Sequence, residues 1–242
     1  MSLTEQTILI TGAAGGLGAT AALALARQGA TIILLDRNVP RLEDVYDRIV
    51  DSGAPEPAIY PFDLAGANED QYNELAQVIG DKYGALQGLL HSAAELGTQG
   101  PIATQPTASW GHTLNVNLNA AFLLTRVLLP VLQKSVQASI VFTSDTSVSN
   151  ARAYAGAYGV AKIALEGFAR ILAEELESAQ RIRVNTLLPG PVNSPMRNRI
   201  YPGEDKSQLP DMNSLDAVYV YLFGPESIGI TGQTIDAQTF QR

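Results

Sequence analysis

Short runs rich in Ile, Val and Leu recur along the chain, and longer segments with apolar residues at helical spacing lie between them. That alternation is the signature of βα units. The runs at 7–11, 31–36, 58–62, 88–92, 139–143 and 183–188 predict strands, with a seventh at 233–236. Strands this uniformly apolar suit a parallel sheet covered on both faces. Right-handed crossovers then make an α/β fold, a doubly wound parallel sheet of about seven strands with helices on both faces. The longest apolar stretch, 118–132, is shorter than a bilayer crossing needs and carries Asn119, Arg126 and Pro130, so it reads as a buried helix with no membrane role.

Composition narrows the function more than the fold. Glycines and prolines are scattered between the periodic segments, which predicts a single domain over residues 1–242. With 24 acidic against 16 basic residues the net charge is −8, a field that repels a phosphate backbone and argues against a nucleic-acid partner. The chain has no cysteine and two histidines, His91 and His112, too far apart in sequence for metal spacing. Thiolate chemistry and a metal site are therefore not expected. Polar residues lead directly into the first strand without the layout of an export signal, which predicts a cytoplasmic location.

The first βα junction reads Gly12-Ala13-Ala14-Gly15-Gly16-Leu17-Gly18, after an apolar strand and before an Ala/Leu-rich helix. Glycines there permit positive φ and let backbone N–H groups and the helix N-terminus approach a pyrophosphate. A tight turn packing helix on strand would use the same residues. The second strand ends at Asp36, whose carboxylate can accept from both ribose hydroxyls of an adenosine, favouring NAD. Arg37 beside it can pair with a 2′-phosphate, which keeps NADP open. Asp63, followed by Leu64 at the end of the third strand, is placed to meet an adenine amino group or to cap a turn. Tyr158 and Lys162 lie one helical turn apart, and an ammonium at that spacing can stabilise a phenolate.

The ordered set of glycine turn, Asp36, Asp63, Asn117, Tyr158, Lys162, Asn185 and Pro189-Gly190 resembles the short-chain dehydrogenases/reductases over nearly the whole chain. Trp110, the approach Gly156-Ala157-Tyr158 and the closing Thr231-Gly232 and Asp236-Ala237-Gln238 place the likeness nearest a little-characterised bacterial oxidoreductase branch. The resemblance implies a Rossmann-type fold, a nicotinamide cofactor, a small carbonyl or alcohol substrate, and a homodimer or homotetramer. Tyr158 is then the proton donor or acceptor, Lys162 its pKa-lowering partner and a ligand of the nicotinamide ribose, and Asn117 the holder of a relay water. Ser92, Ala93, Ala94, Pro189, Gly190, Val192 and Ser194 would line the cofactor, and residues 195–215 would form a substrate lid.

Three departures from the family pattern stand out. His91-Ser92-Ala93-Ala94 replaces the usual Asn-Asn-Ala-Gly, and the terminal Gly-Gly is missing. The largest is Asp145, thirteen residues before Tyr158, where the family has a serine that binds the substrate oxygen. An ionised Asp145 opposes negative charge developing on that oxygen and raises the pKa of Tyr158. Three readings follow: a protonated Asp145 donates the bond, Ser144 or Thr146 replaces the serine, or the chain binds a dinucleotide without turnover as a sensor or scaffold.

Overall fold

The computed structural model of the chain describes residues 2–146, 151–179 and 181–241. In order along the chain come β1 (Thr7–Thr11), α1 (Gly16–Arg27), β2 (Thr31–Asp36), α2 (Val39–Asp51), β3 (Ala58–Pro61), α3 (Glu69–Tyr83) and β4 (Gly88–His91). Then follow α4 (Thr107–Leu114), α5 (Ala120–Leu132), β5 (Ala138–Thr143), α6 (Gly156–Leu176), β6 (Ile182–Leu188), α7 (Pro195–Ile200), α8 (Asp216–Phe223) and β7 (Thr234–Asp236). The seven strands form one sheet in the order β3-β2-β1-β4-β5-β6-β7, every pair parallel. β1 lies between β2 and β4, so the connections leave it toward opposite edges and open a cleft at the carboxyl ends of the strands.

Period-2 alternation places apolar residues of the central strands on both faces of the sheet. Ile8, Ile10, Ile32, Leu34 and Leu90 face α1, α2 and α8, whereas Leu9, Ile33, Leu35, Leu89 and Phe142 face α3, α5 and α6. Both sets are buried, leaving no face for polar residues.

Strand positions differ from the sequence reading by a single residue at several ends. β4 stops at His91 because the N–H groups of Ser92 and Ala93 turn onto Thr11 Oγ1, each at 3.1 Å, and so leave the ladder. The apolar run 118–132 belongs to a longer helical segment, since α4 runs into a wide π turn (Asn115–Asn119) and then into α5. That turn shifts the phase of the apolar pattern along the segment. Thr107–Leu132 is long and apolar enough by length and composition to cross a membrane. Here Leu124, Leu128 and Leu132 are fully buried against the sheet and Arg126 pairs with Glu69 of α3, so it is a core helix. Segment 195–215, expected as a loop, contains α7 and two short 3-10 turns, Lys206–Gln208 and Met212–Leu215.

Candidate active site

The glycines of the first turn separate into two kinds. Gly12 has φ +69°, and a Cβ there would lie 2.7 Å from Ala93 Cα; at Gly18 a Cβ would lie 2.2 Å from the Gly12 carbonyl oxygen. These two let backbones touch. Gly15 is extended (φ 177°), and its Cβ would meet only Arg41 Nη1 at 3.9 Å. Nothing in the fold demands glycine there, so its bareness serves the cleft. No side chain caps α1, whose first N–H groups therefore face open space lined by Gly12, Ala14, Gly15, Gly16 and Leu17. A helix start of this kind attracts an anion.

The cleft, about 430 Å³, runs from that turn in two directions. Toward β2 and β3 it is lined by Asp36, Arg37, Asn38, Arg41, Asp63 and Leu64. Asp36 Oδ1 accepts from the Asn38 N–H at 3.0 Å and Asp63 Oδ1 from the Ala65 N–H at 3.1 Å, so each carboxylate is held by its own turn at the rim. Arg37 lies 3.7 Å from Glu95 across the opening. Ser92, Ala93 and Ala94 form the floor beside β4. The hydroxyls of Ser92, after β4, and Thr143, at the end of β5, are buried along the cleft with no hydrogen-bond partner among the described residues. A bare helix start after β1, carboxylates at the β2 and β3 ends on one side of it and unpartnered hydroxyls at the β4 and β5 ends on the other fit a dinucleotide laid across the sheet.

Toward β5 and α6 the side chains named for chemistry converge. Tyr158, 5% exposed, donates its hydroxyl to Asp145 Oδ2 at 3.0 Å. Burial, then the charge of Asp145 and that hydrogen bond, push the Tyr158 phenol well above its ordinary range. Lys162 is fully sheltered from water; its Nζ donates to the Thr143 carbonyl at 2.7 Å and lies 5.7 Å from the centre of the Tyr158 ring. Burial lowers its pKa from 10.5 to about 8, against the upward pull of Asp145 and Glu166. The lowering of the Tyr158 pKa expected from Lys162 is not found: burial and Asp145 raise it instead. Ser144 donates to Glu166 Oε1 at 2.6 Å, which directs its hydroxyl to α6 and leaves Asp145 as the partner of Tyr158. Thr146 also lines the cleft.

Asn117 sits in the π turn, buried, with Nδ2 donating to the Glu95 and Thr113 carbonyls (2.8 Å each) and Oδ1 accepting from the Glu95 N–H at 3.3 Å. Its amide thus pins the segment after β4 beside the cleft. After β6, Pro189, Gly190, Val192 and Ser194 line the wall, and Ser194 Oγ caps α7 by accepting from the Arg197 N–H. Gly190 has φ +71°, and the side chain of Gln238 fills the space its Cβ would take. His91, 5% exposed, bonds to Thr125 and stacks on Phe142. Among the described residues no cluster of His, Asp and Glu could hold a metal.

Several residues at or beside the cleft escaped the sequence reading. Glu166 stands one turn beyond Lys162 on the same helix, a spacing that signalled it. Arg41 from the first turn of α2, Glu95 from the segment after β4, and Arg197 and Tyr201 from the lid carry no such signal. Arg197 is held bidentately by Glu204 (2.7 and 2.6 Å) and stacks 4.1 Å from the Tyr201 ring. Tyr201 also takes a hydrogen bond from Arg152.

Comparison with known proteins agrees with this geometry. Residues 6–205 match the family described as short chain dehydrogenase. The uncharacterized oxidoreductase YciK of Escherichia coli is 40% identical over 236 residues, covering 98% of this chain and 93% of that protein. A short chain dehydrogenase from Pseudomonas syringae superposes with a TM-score of 0.95 at 43% identity, covering 98% of this chain and 96% of the other. One from Shigella flexneri, solved in complex with NADP, gives a TM-score of 0.94 at 39% identity and covers 98% of each chain.

Proposed function

Because the chain belongs to the short chain dehydrogenases and is a nicotinamide-dependent oxidoreductase, we propose that it reduces a polar double bond, in the first instance a carbonyl, with Tyr158 as proton donor. The observation that carries this reading is the pair formed by the buried Tyr158 hydroxyl and Asp145, one turn from Lys162, on the wall of the cleft that begins at the bare start of α1. Glycines 12, 15, 16 and 18 and the N–H groups of α1 would hold the pyrophosphate, Asp36 the adenosine ribose, Asp63 the adenine and Lys162 the nicotinamide ribose. The bound nicotinamide supplies the hydride in reduction and accepts it in oxidation.

The chain's own part is the proton. Burial and Asp145 keep the Tyr158 phenol protonated at rest, so the proton that reduction consumes is in place, and the raised pKa is what a neighbouring positive charge has to offset. Lys162, cationic up to about pH 8, supplies the positive charge that stabilises the phenolate once the proton has left. Asn117, through both backbone groups of Glu95, fixes the loop that covers this end of the cleft. Phe122 on α5 and Val160, Ile163 and Ile171 on α6 are large apolar side chains left exposed, and they support self-association of the single domain.

For the cofactor, the Asp36 carboxylate supports NAD(H), since it accepts from ribose hydroxyls and repels a 2′-phosphate. A second reading is favoured by the NADP bound to the Shigella flexneri relative and by the two guanidinium groups, Arg37 and Arg41, at the same rim. Fluorescence titration with NADH and NADPH, followed by a screen of ketones and aldehydes, tests both halves. Tighter NADH binding is expected, narrowed in Asp36→Ala. Tighter NADPH binding would assign the rim to the arginines, and binding without turnover of any substrate would make the protein a dinucleotide sensor or scaffold.

A further inference from the structure

The feature that ordinary ketone reduction leaves unexplained is Asp145. It lines the same part of the cleft as Tyr158, and its Oδ2 is 3.0 Å from the hydroxyl that is to donate the proton. Any substrate atom within reach of Tyr158 is therefore next to a carboxylate. A carboxylate accepts at about four lone-pair sites, so the Tyr158 bond is one of several it can make. A carbonyl oxygen offers only lone pairs and gains negative charge as hydride arrives at its carbon, so it is poorly matched to this wall. A C=N nitrogen differs on both counts: protonated, it has an N–H to donate and a positive charge to place beside the carboxylate.

Resting on the reading of Tyr158 as proton donor and a reduced nicotinamide as hydride source, we propose that the preferred substrate is a cyclic or conjugated imine, reduced at its C=N bond to an amine. The imine nitrogen takes the Tyr158 proton and is held as iminium by Asp145. The hydride adds to the carbon, the C=N π pair becomes the nitrogen lone pair, and the dinucleotide is oxidised; solvent returns a proton to Tyr158 through the cleft. One hydride and one proton enter, and a CH–NH unit leaves. A nearby carboxylate raises the basicity of the imine, so more of it is present in the form that accepts hydride.

The surroundings fit. Lys162 on α6, with Glu166 beside it, and Arg197 on α7 carry charge near Asp145, and Glu204 holds the Nε–Nη2 edge of Arg197 bidentately. Glu204 thus offsets one of the two lid arginines, Arg197 and Arg199, that line the cleft. Leu96, Ala155, Met196 and Ile200 pack around Tyr158 as an apolar wall that can seat a ring. Acyclic imines hydrolyse in water, which leaves cyclic or conjugated ones as substrates.

The test compares pyrroline with cyclopentanone, rings of one size, on protein saturated with the preferred reduced dinucleotide. It also measures calorimetrically the binding of the amine pyrrolidine, protonated at neutral pH, and of cyclopentanol to protein holding the oxidised form. We expect kcat/KM for pyrroline to exceed that for cyclopentanone by at least about tenfold, and pyrrolidinium to bind at least about tenfold more tightly than cyclopentanol, the scale of one charge-assisted hydrogen bond. Both preferences should vanish in Asp145→Asn, with dinucleotide affinity within about threefold of wild type as proof of folding. Asp145→Ser should favour the ketone. A wild-type preference for cyclopentanone, or equal binding of pyrrolidinium and cyclopentanol, overturns the proposal. If neither ring is turned over, calorimetry decides: pyrrolidinium held through Asp145 supports nitrogen recognition while refuting the reductase reading, and its absence refutes the proposal itself.

Discussion

Lys162 is a cation that the fold has removed from water, and its consequences are set by three neighbours. The Thr143 carbonyl holds its Nζ at 2.7 Å, and Asp145 and Glu166 pull its pKa up against burial, which brings it down to about 8. Below that pH the ammonium faces Tyr158. As pH rises through about 8 the charge is lost, and the phenol, already held above its ordinary range, becomes a weaker acid. Reductive kcat should therefore be level below about pH 8 and fall above it. Glu166→Gln removes one of the two carboxylates that keep the proton on Lys162, so the fall should begin at lower pH. Profiles of kcat against pH for both proteins measure this, and a fall unmoved by the substitution would take Glu166 out of the network. His91 is the opposite case: burial, then Lys162, bring its pKa from 6.5 to about 3, so the imidazole stays neutral and acts by stacking on Phe142. Tyr158, Lys162 and Asp145 were legible in the sequence because helical spacing and a fixed distance along the chain betray them. Arg197 and Tyr201 were not, because the lid that carries them has no periodicity to read.

At the level of elements, the strands were legible for a physical reason: a parallel strand buried on both faces is apolar at every position, and the boundary errors fall where side chains capture backbone N–H groups, as Thr11 does at β4. The π turn was not legible, since nothing in Asn115-Val116-Asn117-Leu118-Asn119 marks a wider helical turn. Neither was the buried Arg183, which ties β6 to the segment after α8 through Ser227 and the carbonyls of Leu222 and Gly224. The glycine turn was read as one motif, and the structure separates it into two roles that mutation can distinguish. Gly18→Ala drives a Cβ to 2.2 Å from the Gly12 carbonyl and should cost at least about 1–3 kcal/mol of stability. Gly15→Ala, in extended backbone with open space around it, should change stability by less than about 0.5 kcal/mol. It should nonetheless weaken dinucleotide binding about tenfold or more, because the new methyl blocks the start of α1. Thermal unfolding and cofactor titration of the two variants give the answer. Equal cofactor affinity in Gly15→Ala would show that the pyrophosphate does not lie there.

Across the whole molecule, the sheet order brings together residues far apart in sequence. Asp36, Asp63, Asp145, Tyr158 and Lys162 all meet one cleft because β1 lies between β2 and β4 and the chain turns back over the carboxyl ends of the strands. The net charge of −8 leaves that cleft as the place where an anionic dinucleotide meets a helix start and arginines rather than a general negative field. The account stands or falls on one group, the Tyr158 hydroxyl, which should move a proton without holding the cofactor. The direct measurement is the rate at which bound reduced dinucleotide is oxidised on mixing with the best substrate, in wild type and in Tyr158→Phe. The account predicts a loss of at least about 10²–10⁴-fold in Tyr158→Phe, the range of a general acid, with dinucleotide affinity nearly unchanged. Oxidation at comparable rates in the two proteins would contradict it.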